Sequence, residues 1–84
     1  MALSRTRASR QARDEIRICR QGRGWVVNSY DSAAKADRIS HEMTFYSARA
    51  VRQEMVITRT FELMGVDLEE AHARTQRLLG RIFR

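Results

Sequence analysis

The two histidines of this sequence, His41 and His72, are the first candidates for metal or acid–base chemistry. His41 and Glu42 begin the pattern of a metalloprotease helix, but that pattern needs a second histidine where Phe45 stands. His72 is distant from His41, and neither histidine lies in a cluster of cysteines or carboxylates at ligand spacing. We therefore expect surface histidines, with no metal site and no cofactor.

Two other motifs are better explained as local structure. Asp37, Ser40 and His41 include the residue types of a hydrolase triad, but adjacency in sequence does not supply the required hydrogen-bond geometry. Ser40 is better interpreted as a helix N-cap. The segment 22–24, Gly-Arg-Gly, lacks the third glycine and the following helix of a phosphate-binding loop, so a hairpin turn is expected there.

Cys19 is the only cysteine, so an internal disulfide is excluded and a thiolate metal cluster is not expected. Arg17 and Arg20 beside it would favour the reactive thiolate, but a small buried strand residue is the commoner role of a free cysteine. No apolar run approaches the roughly 18 residues of a membrane span. These features favour a non-enzymatic protein of the reducing cytoplasm, without a membrane partner.

Positive charge dominates the chain and is concentrated towards its ends. The formal net charge is +6, and Lys35 is the single lysine among the 16 Lys and Arg residues. Residues 1–23 hold seven arginines against Asp14 and Glu15, a net charge of 7 − 2 = +5, whereas residues 24–65 are neutral overall. Arginine binds phosphate or carboxylate through two parallel hydrogen bonds, which predicts an anionic partner. The candidate contact residues are Arg7, Arg10, Arg13, Arg17, Arg20, Arg23, Arg74, Arg77, Arg81 and Arg84.

The N-terminal half of the chain predicts a basic arm followed by a β-hairpin. Residues 1–14 have little to bury, so they form either a mobile basic arm, which we favour, or a helix stabilised only by contact, while residues 15–84 form a single small domain. Ile16 and Ile18 alternate with polar neighbours, residues 21–24 supply a turn, and residues 25–30 are rich in strand formers. A connecting loop is expected over Asp31–Asp37.

A long helix is predicted to begin at the Ser40 cap and to end at Gly65. Phe45, Val56 and Leu63 lie on its other side among arginines, so they are a candidate interface with a partner chain. The strand propensity of residues 56–61 leaves a third strand as the alternative to helix. The expected buried stripe of this helix is Met43, Tyr46, Ala50, Ile57, Phe61 and Met64.

The last helix has the clearest start signal in the chain. Asp67 followed by Glu70 is a variant of the capping box, so the helix is predicted to begin at Leu68. Its expected inward face is Leu68, Ala71, Thr75, Leu78, Leu79 and Ile82, with the C-terminal arginines on the opposite face. The fold class is therefore α+β, with a short N-terminal β-hairpin packed on one long and one C-terminal amphipathic helix.

The leading functional hypothesis is a basic binding module that engages the nucleic-acid backbone through its arginines. The first alternative is a small phage- or plasmid-type inhibitor that docks on an acidic protein surface, such as that of a host nucleic-acid enzyme. The order strand, helix, turn at 65–67, helix resembles ribbon-helix-helix repressors, which implies as a second alternative a DNA-binding homodimer. Weaker interpretations are a solvated surface that keeps the protein soluble and, for residues 1–13, an organelle transit peptide.

Overall fold

A computed structural model describes residues 2–30, 36–38 and 41–82. It confirms the α+β class, with an antiparallel hairpin packed on helices. The long helix α2 is central and contacts α1, α3 and both strands of the hairpin. The elements in chain order are α1 (Arg5–Glu15), β1 (Ile16–Gln21), β2 (Gly24–Tyr30), β3 (Ala36–Arg38), α2 (Phe45–Leu63) and α3 (Leu68–Ile82).

The predicted β-hairpin is confirmed as β1 and β2, joined by a two-residue turn. Gln21 pairs with Gly24, and Gly22 occupies the first turn position with φ of 58°. Two-residue hairpin turns need a positive φ at this position, which glycine adopts without steric cost. Gly24 has a separate role, because a Cβ there would lie 2.9 Å from the Cβ of Glu42 and 3.0 Å from the Met43 carbonyl oxygen.

Strand β2 is the middle strand of the sheet, paired with β1 on one edge and β3 on the other. Met43 extends that second edge, since its N–H and carbonyl exchange hydrogen bonds with Trp25 at 3.0 and 2.9 Å. The predicted loop over Asp31–Asp37 is therefore wrong at its end, where residues 36–38 form β3. Residues 31–35 lie outside the described part of the chain.

The prediction of a mobile arm over residues 1–14 is wrong for residues 5–14, which belong to helix α1. Ser4 caps the helix by accepting a hydrogen bond from the Arg7 N–H at 3.4 Å. Ala8 and Ala12 are fully buried against the rest of the protein. Two alanines give a weak hydrophobic signal in the sequence, but their small size allows α1 to lie close to α2.

The long helix starts later than predicted. Its N-cap is Thr44, whose hydroxyl accepts the Ser47 N–H at 3.0 Å, and Ser40 lies outside the described residues. Met43 cannot begin the helix because its backbone is already paired with β2. The prediction of helix over residues 56–61, against the strand alternative, is confirmed.

The buried stripe predicted for this helix is wrong at Tyr46 and Ala50, whereas Met43 packs against the core. Tyr46 is 82% exposed and Ala50 is exposed, whereas Ala48 and Val56 belong to the core. The error arises because arginines mark the side of a helix that is expected to face solvent, whereas Arg52 bonds the Ile16 carbonyl inside the protein. The apolar residues that α2 packs against the core are Ala48, Val51, Met55, Val56 and Leu63.

The turn between α2 and α3 follows the sequence signals. Gly65 has φ of 97°, its N–H donates to the Glu62 carbonyl, and the Val66 N–H donates to the Phe61 carbonyl, which is a Schellman motif. Asp67 then caps α3 by accepting the Glu70 N–H at 2.9 Å, so the predicted start of α3 is confirmed.

Helix α3 packs on α2 through small side chains. Thr75 is fully buried, and the Thr58 hydroxyl donates to its oxygen at 2.9 Å while Thr75 donates to the Ala71 carbonyl. The inward face predicted for α3 is therefore correct at Ala71 and Thr75. It is wrong at Leu68 and Leu78, which are 52% and 38% exposed, because within the described residues α3 contacts α2 alone.

Candidate binding surface

A partly buried ion pair attaches α1 to α2. Arg59 Nε donates to Glu15 Oε2 at 2.7 Å, and the Gln11 side-chain amide donates to Glu15 Oε1 at 2.9 Å. Their side chains are 21% exposed for Arg59 and 13% for Glu15. Folding thus withdraws the Glu15 carboxylate from the outer surface of α1, and that surface becomes more positive than the sequence suggests.

Arginines also take the place of a glycine cap at the C-terminus of α1. Arg52 Nε donates to the Ile16 carbonyl at 2.8 Å and Arg52 Nη2 to the Arg13 carbonyl at 3.1 Å. Arg17 Nε donates to the Asp14 carbonyl at 3.2 Å. The last carbonyls of a helix lack partners within it and carry partial negative charge, so cations stabilise them. This arrangement lets α1 continue directly into β1.

The solvent-facing half of α1 carries four arginines, which we call the α1 arginine face: Arg5, Arg7, Arg10 and Arg13. All four side chains are exposed. Asp14 is the single acidic residue of that half, so its net charge is 4 − 1 = +3. In the described part of the chain, none of the four arginines forms an ion pair with a carboxylate.

The hairpin that follows α1 carries three further arginines. Arg17, Arg20 and Arg23 are all exposed, and Arg20 lies over the Trp25 ring, with 5.1 Å from Cζ to the ring centroid. A cation over an indole face is attracted by the ring quadrupole, which holds this guanidinium in place. Trp25 is partly buried against the core.

The α3 arginines are in a different electrostatic situation. Arg74 Nε and Arg77 Nη2 both donate to Glu70 Oε1 at 3.1 Å, and these bonds, first from Arg74 and then from Arg77, lower the pKa of Glu70. The Glu70 carboxylate therefore offsets part of the positive charge of Arg74 and Arg77, which are predicted to contact a partner. Arg81 lies in the last turn of α3, and Arg84 is outside the described residues.

The proposed partner interface of Phe45, Val56 and Leu63 is wrong at two of its three positions. Val56 is 9% exposed and belongs to the core, and Leu63 packs against the same core. Phe45 is 48% exposed, with its ring edge-on to Trp25 at 4.9 Å between centroids. The exposed apolar face of α2 begins at Tyr46, and Phe45 and Val56 lie along its edge.

The remaining chemistry-bearing residues form no cluster in the structure. His41 is exposed in the segment before α2, His72 is exposed on α3, and Cys19 Sγ accepts a hydrogen bond from the Asn28 amide at 3.0 Å. Among the described residues, no three His, Cys, Asp or Glu side chains come together as metal ligands would. None of the helices described here has both the length and the apolar character needed to cross a bilayer.

The ribbon-helix-helix resemblance extends only to element order, because β2 pairs with strands of its own chain on both edges. Comparison with protein-family models, with curated proteins and with solved structures gives no match. The functional interpretation therefore depends on the α1 arginine face and its surroundings.

Proposed function

We propose that this protein binds the phosphate backbone of nucleic acid through the α1 arginine face, with the hairpin arginines as secondary contacts. The observation that supports this most is the set of four exposed arginines on one ordered helix, without carboxylate partners among the described residues. Arginine forms charge-assisted, two-pronged hydrogen bonds with phosphate.

The dimensions of α1 suit a phosphate backbone. Its 11 residues extend about 16 Å at 1.5 Å per residue. Duplex DNA carries one negative charge per roughly 1.7 Å of axis, so several phosphates lie within that length. Contacts of this kind set position and affinity without reading bases, so the proposed binding is weakly selective for sequence.

A pair of double variants with equal charge change tests the proposal. Arg7→Gln with Arg10→Gln removes two charges from the α1 arginine face, and Arg74→Gln with Arg77→Gln removes two charges already bonded to Glu70. Gel shifts on two unrelated duplexes at low salt should show much weaker binding for the α1 pair, equally on both sequences. The α3 pair should bind nearly as the wild type does.

Two results would contradict the proposal. If the wild-type protein fails to shift either duplex at low salt, the α1 arginine face does not bind nucleic acid. If the two double variants lose the same affinity, net charge explains the binding and α1 is not a site.

A further inference from the structure

A second surface lies on the outward side of α2, between α1 and α3, and we call it the α2 groove. Its floor is the exposed face of α2, its wall on one side includes Arg5, Ser9 and Arg13 of α1, and Leu78 of α3 lies on the other side. Tyr46 is 82% exposed and Leu78 is 38% exposed. Apolar side chains are thus left open to solvent where α1 and α3 flank the central helix.

The floor residues follow the spacing of a coiled-coil seam. Positions separated alternately by four and three residues lie along one line of a helix, and such a line packs against a second helix. From the first to the last floor residue, 18 residues apart, the seam is about 27 Å long at 1.5 Å per residue. The floor residues are Tyr46, Ala50, Gln53, Ile57, Thr60 and Met64.

The charges around the α2 groove have one sign. Among the described residues that line it are four arginines and no aspartate or glutamate. The Arg52 guanidinium is bonded to the Arg13 and Ile16 carbonyls, which leaves the exposed guanidinium groups of Arg5, Arg13 and Arg49 beside the apolar floor. An apolar seam bordered by cations is complementary to an apolar stripe bordered by carboxylates.

We propose that the α2 groove binds an acidic amphipathic helix of a partner protein, about five turns long, with an apolar stripe on the α2 floor. A second copy of this chain fits less well, because self-pairing would bring the same arginines of both copies to one seam. A phosphate backbone fits less well too, because it has no apolar stripe to cover Tyr46, Ile57 and Met64. The groove shares Arg5 and Arg13 with the α1 arginine face, but Arg7 and Arg10 lie outside it, so the two proposals can be tested separately.

The probe is a designed helical peptide of about 18 residues, matched to the length of the floor, with leucine on its seam and glutamate on both flanks. Fluorescence anisotropy with the full chain should show binding of this peptide. A peptide with lysine in place of every glutamate should not bind, because its flanks would face arginines. Equal binding of the lysine peptide would overturn the charge argument.

A matched pair of protein variants locates the binding. Ala50→Glu places a carboxylate in the middle of the floor at an exposed helical position, and His72→Glu makes the same charge change on an exposed part of α3 outside the groove. We expect Ala50→Glu to weaken peptide binding by about tenfold or more, because like charges would then face each other. His72→Glu should change it by less than about threefold, since it affects only the overall field.

Three outcomes separate this proposal from its alternatives. Equal losses in Ala50→Glu and His72→Glu would show that the groove is not the site. A dimer in sedimentation experiments that Ala50→Glu dissociates would show that a second copy is the occupant and would overturn the proposal. The Arg7→Gln, Arg10→Gln variant should keep its peptide affinity even if it loses duplex binding, which distinguishes the two surfaces.

Discussion

Replacing Arg52 with methionine tests whether α1 is held in place by arginine capping. Methionine keeps most of the apolar stem but removes the guanidinium that bonds the Ile16 and Arg13 carbonyls. Arg49, one turn earlier on the same helix, is exposed and makes neither bond, so Arg49→Met is the matched control.

The magnitude follows from the two bonds. A hydrogen bond to a charged group contributes about 1.5–3 kcal/mol, and the bond to the Arg13 carbonyl should be at the low end because it is exposed. We therefore expect Arg52→Met to lower the free energy of unfolding by about 3–4.5 kcal/mol. In a domain of this size, each kcal/mol shifts Tm by roughly 4–8 °C.

Urea and thermal unfolding followed by circular dichroism measure the effect. Arg52→Lys should be intermediate, since an ammonium keeps the charge but lacks the planar fork that reaches both carbonyls. Arg49→Met should stay within about 0.5 kcal/mol of the wild type, as surface substitutions usually do. If Arg52→Met and Arg49→Met were equally stable, arginine capping would not be what holds α1.

Three further substitutions have defined outcomes. Asp67→Ala should lower the free energy of unfolding by about 0.5–2 kcal/mol in thermal melts, because α3 loses its N-cap. Thr75→Val should cost about 1 kcal/mol in urea unfolding, a modest loss because the Thr58 hydroxyl can still donate to a backbone carbonyl at 3.1 Å. Glu70→Gln concerns acid stability. The pKa of Glu70 is lowered in the folded protein, so the wild type should lose stability as pH falls from about 4.5 through that folded pKa. When Tm is measured against pH, the Glu70→Gln variant should not show this loss of stability.

Each of these expectations can be contradicted by its own measurement. An unchanged Tm for Asp67→Ala would mean that the last helix does not depend on this cap. A loss well above 2 kcal/mol for Thr75→Val would show that the Thr58 hydroxyl does not find a second acceptor. Parallel acid profiles for the wild type and Glu70→Gln would mean that the bonds to Arg74 and Arg77 do not favour the charged carboxylate in solution.

The sequence was sufficient where structure is set by neighbouring residues. The hairpin follows from strand formers on both sides of Gly22, whose positive φ the turn requires. The turn at Gly65 and the cap at Asp67 are likewise local, because each is made by hydrogen bonds between residues only a few positions apart.

It was insufficient where contacts join distant segments. Helix α1 buries only two alanines, and it is bonded to α2 through Arg52 and Arg59, contacts that no local pattern reveals. Because those arginines lie on the inner side of α2, the periodicity of this helix predicts the wrong buried face. Tyr46 is therefore predicted to be buried, although it is exposed. The arginine clusters themselves can be seen in the sequence, but their ion pairing cannot. Glu70 pairs with arginines of its own helix α3, whereas Glu15 of α1 pairs with Arg59 of α2.

The salt dependence of duplex binding tests the central proposal most directly. Each phosphate neutralised contributes about −0.9 to the slope of log K against log salt concentration for duplex DNA. The Arg7→Gln, Arg10→Gln variant should therefore have a slope shallower than that of the wild type by about 1.8, while Arg74→Gln, Arg77→Gln leaves the slope nearly unchanged. A wild-type slope near zero, or equal changes in the two variants, would contradict the proposal that the α1 arginine face binds the phosphate backbone.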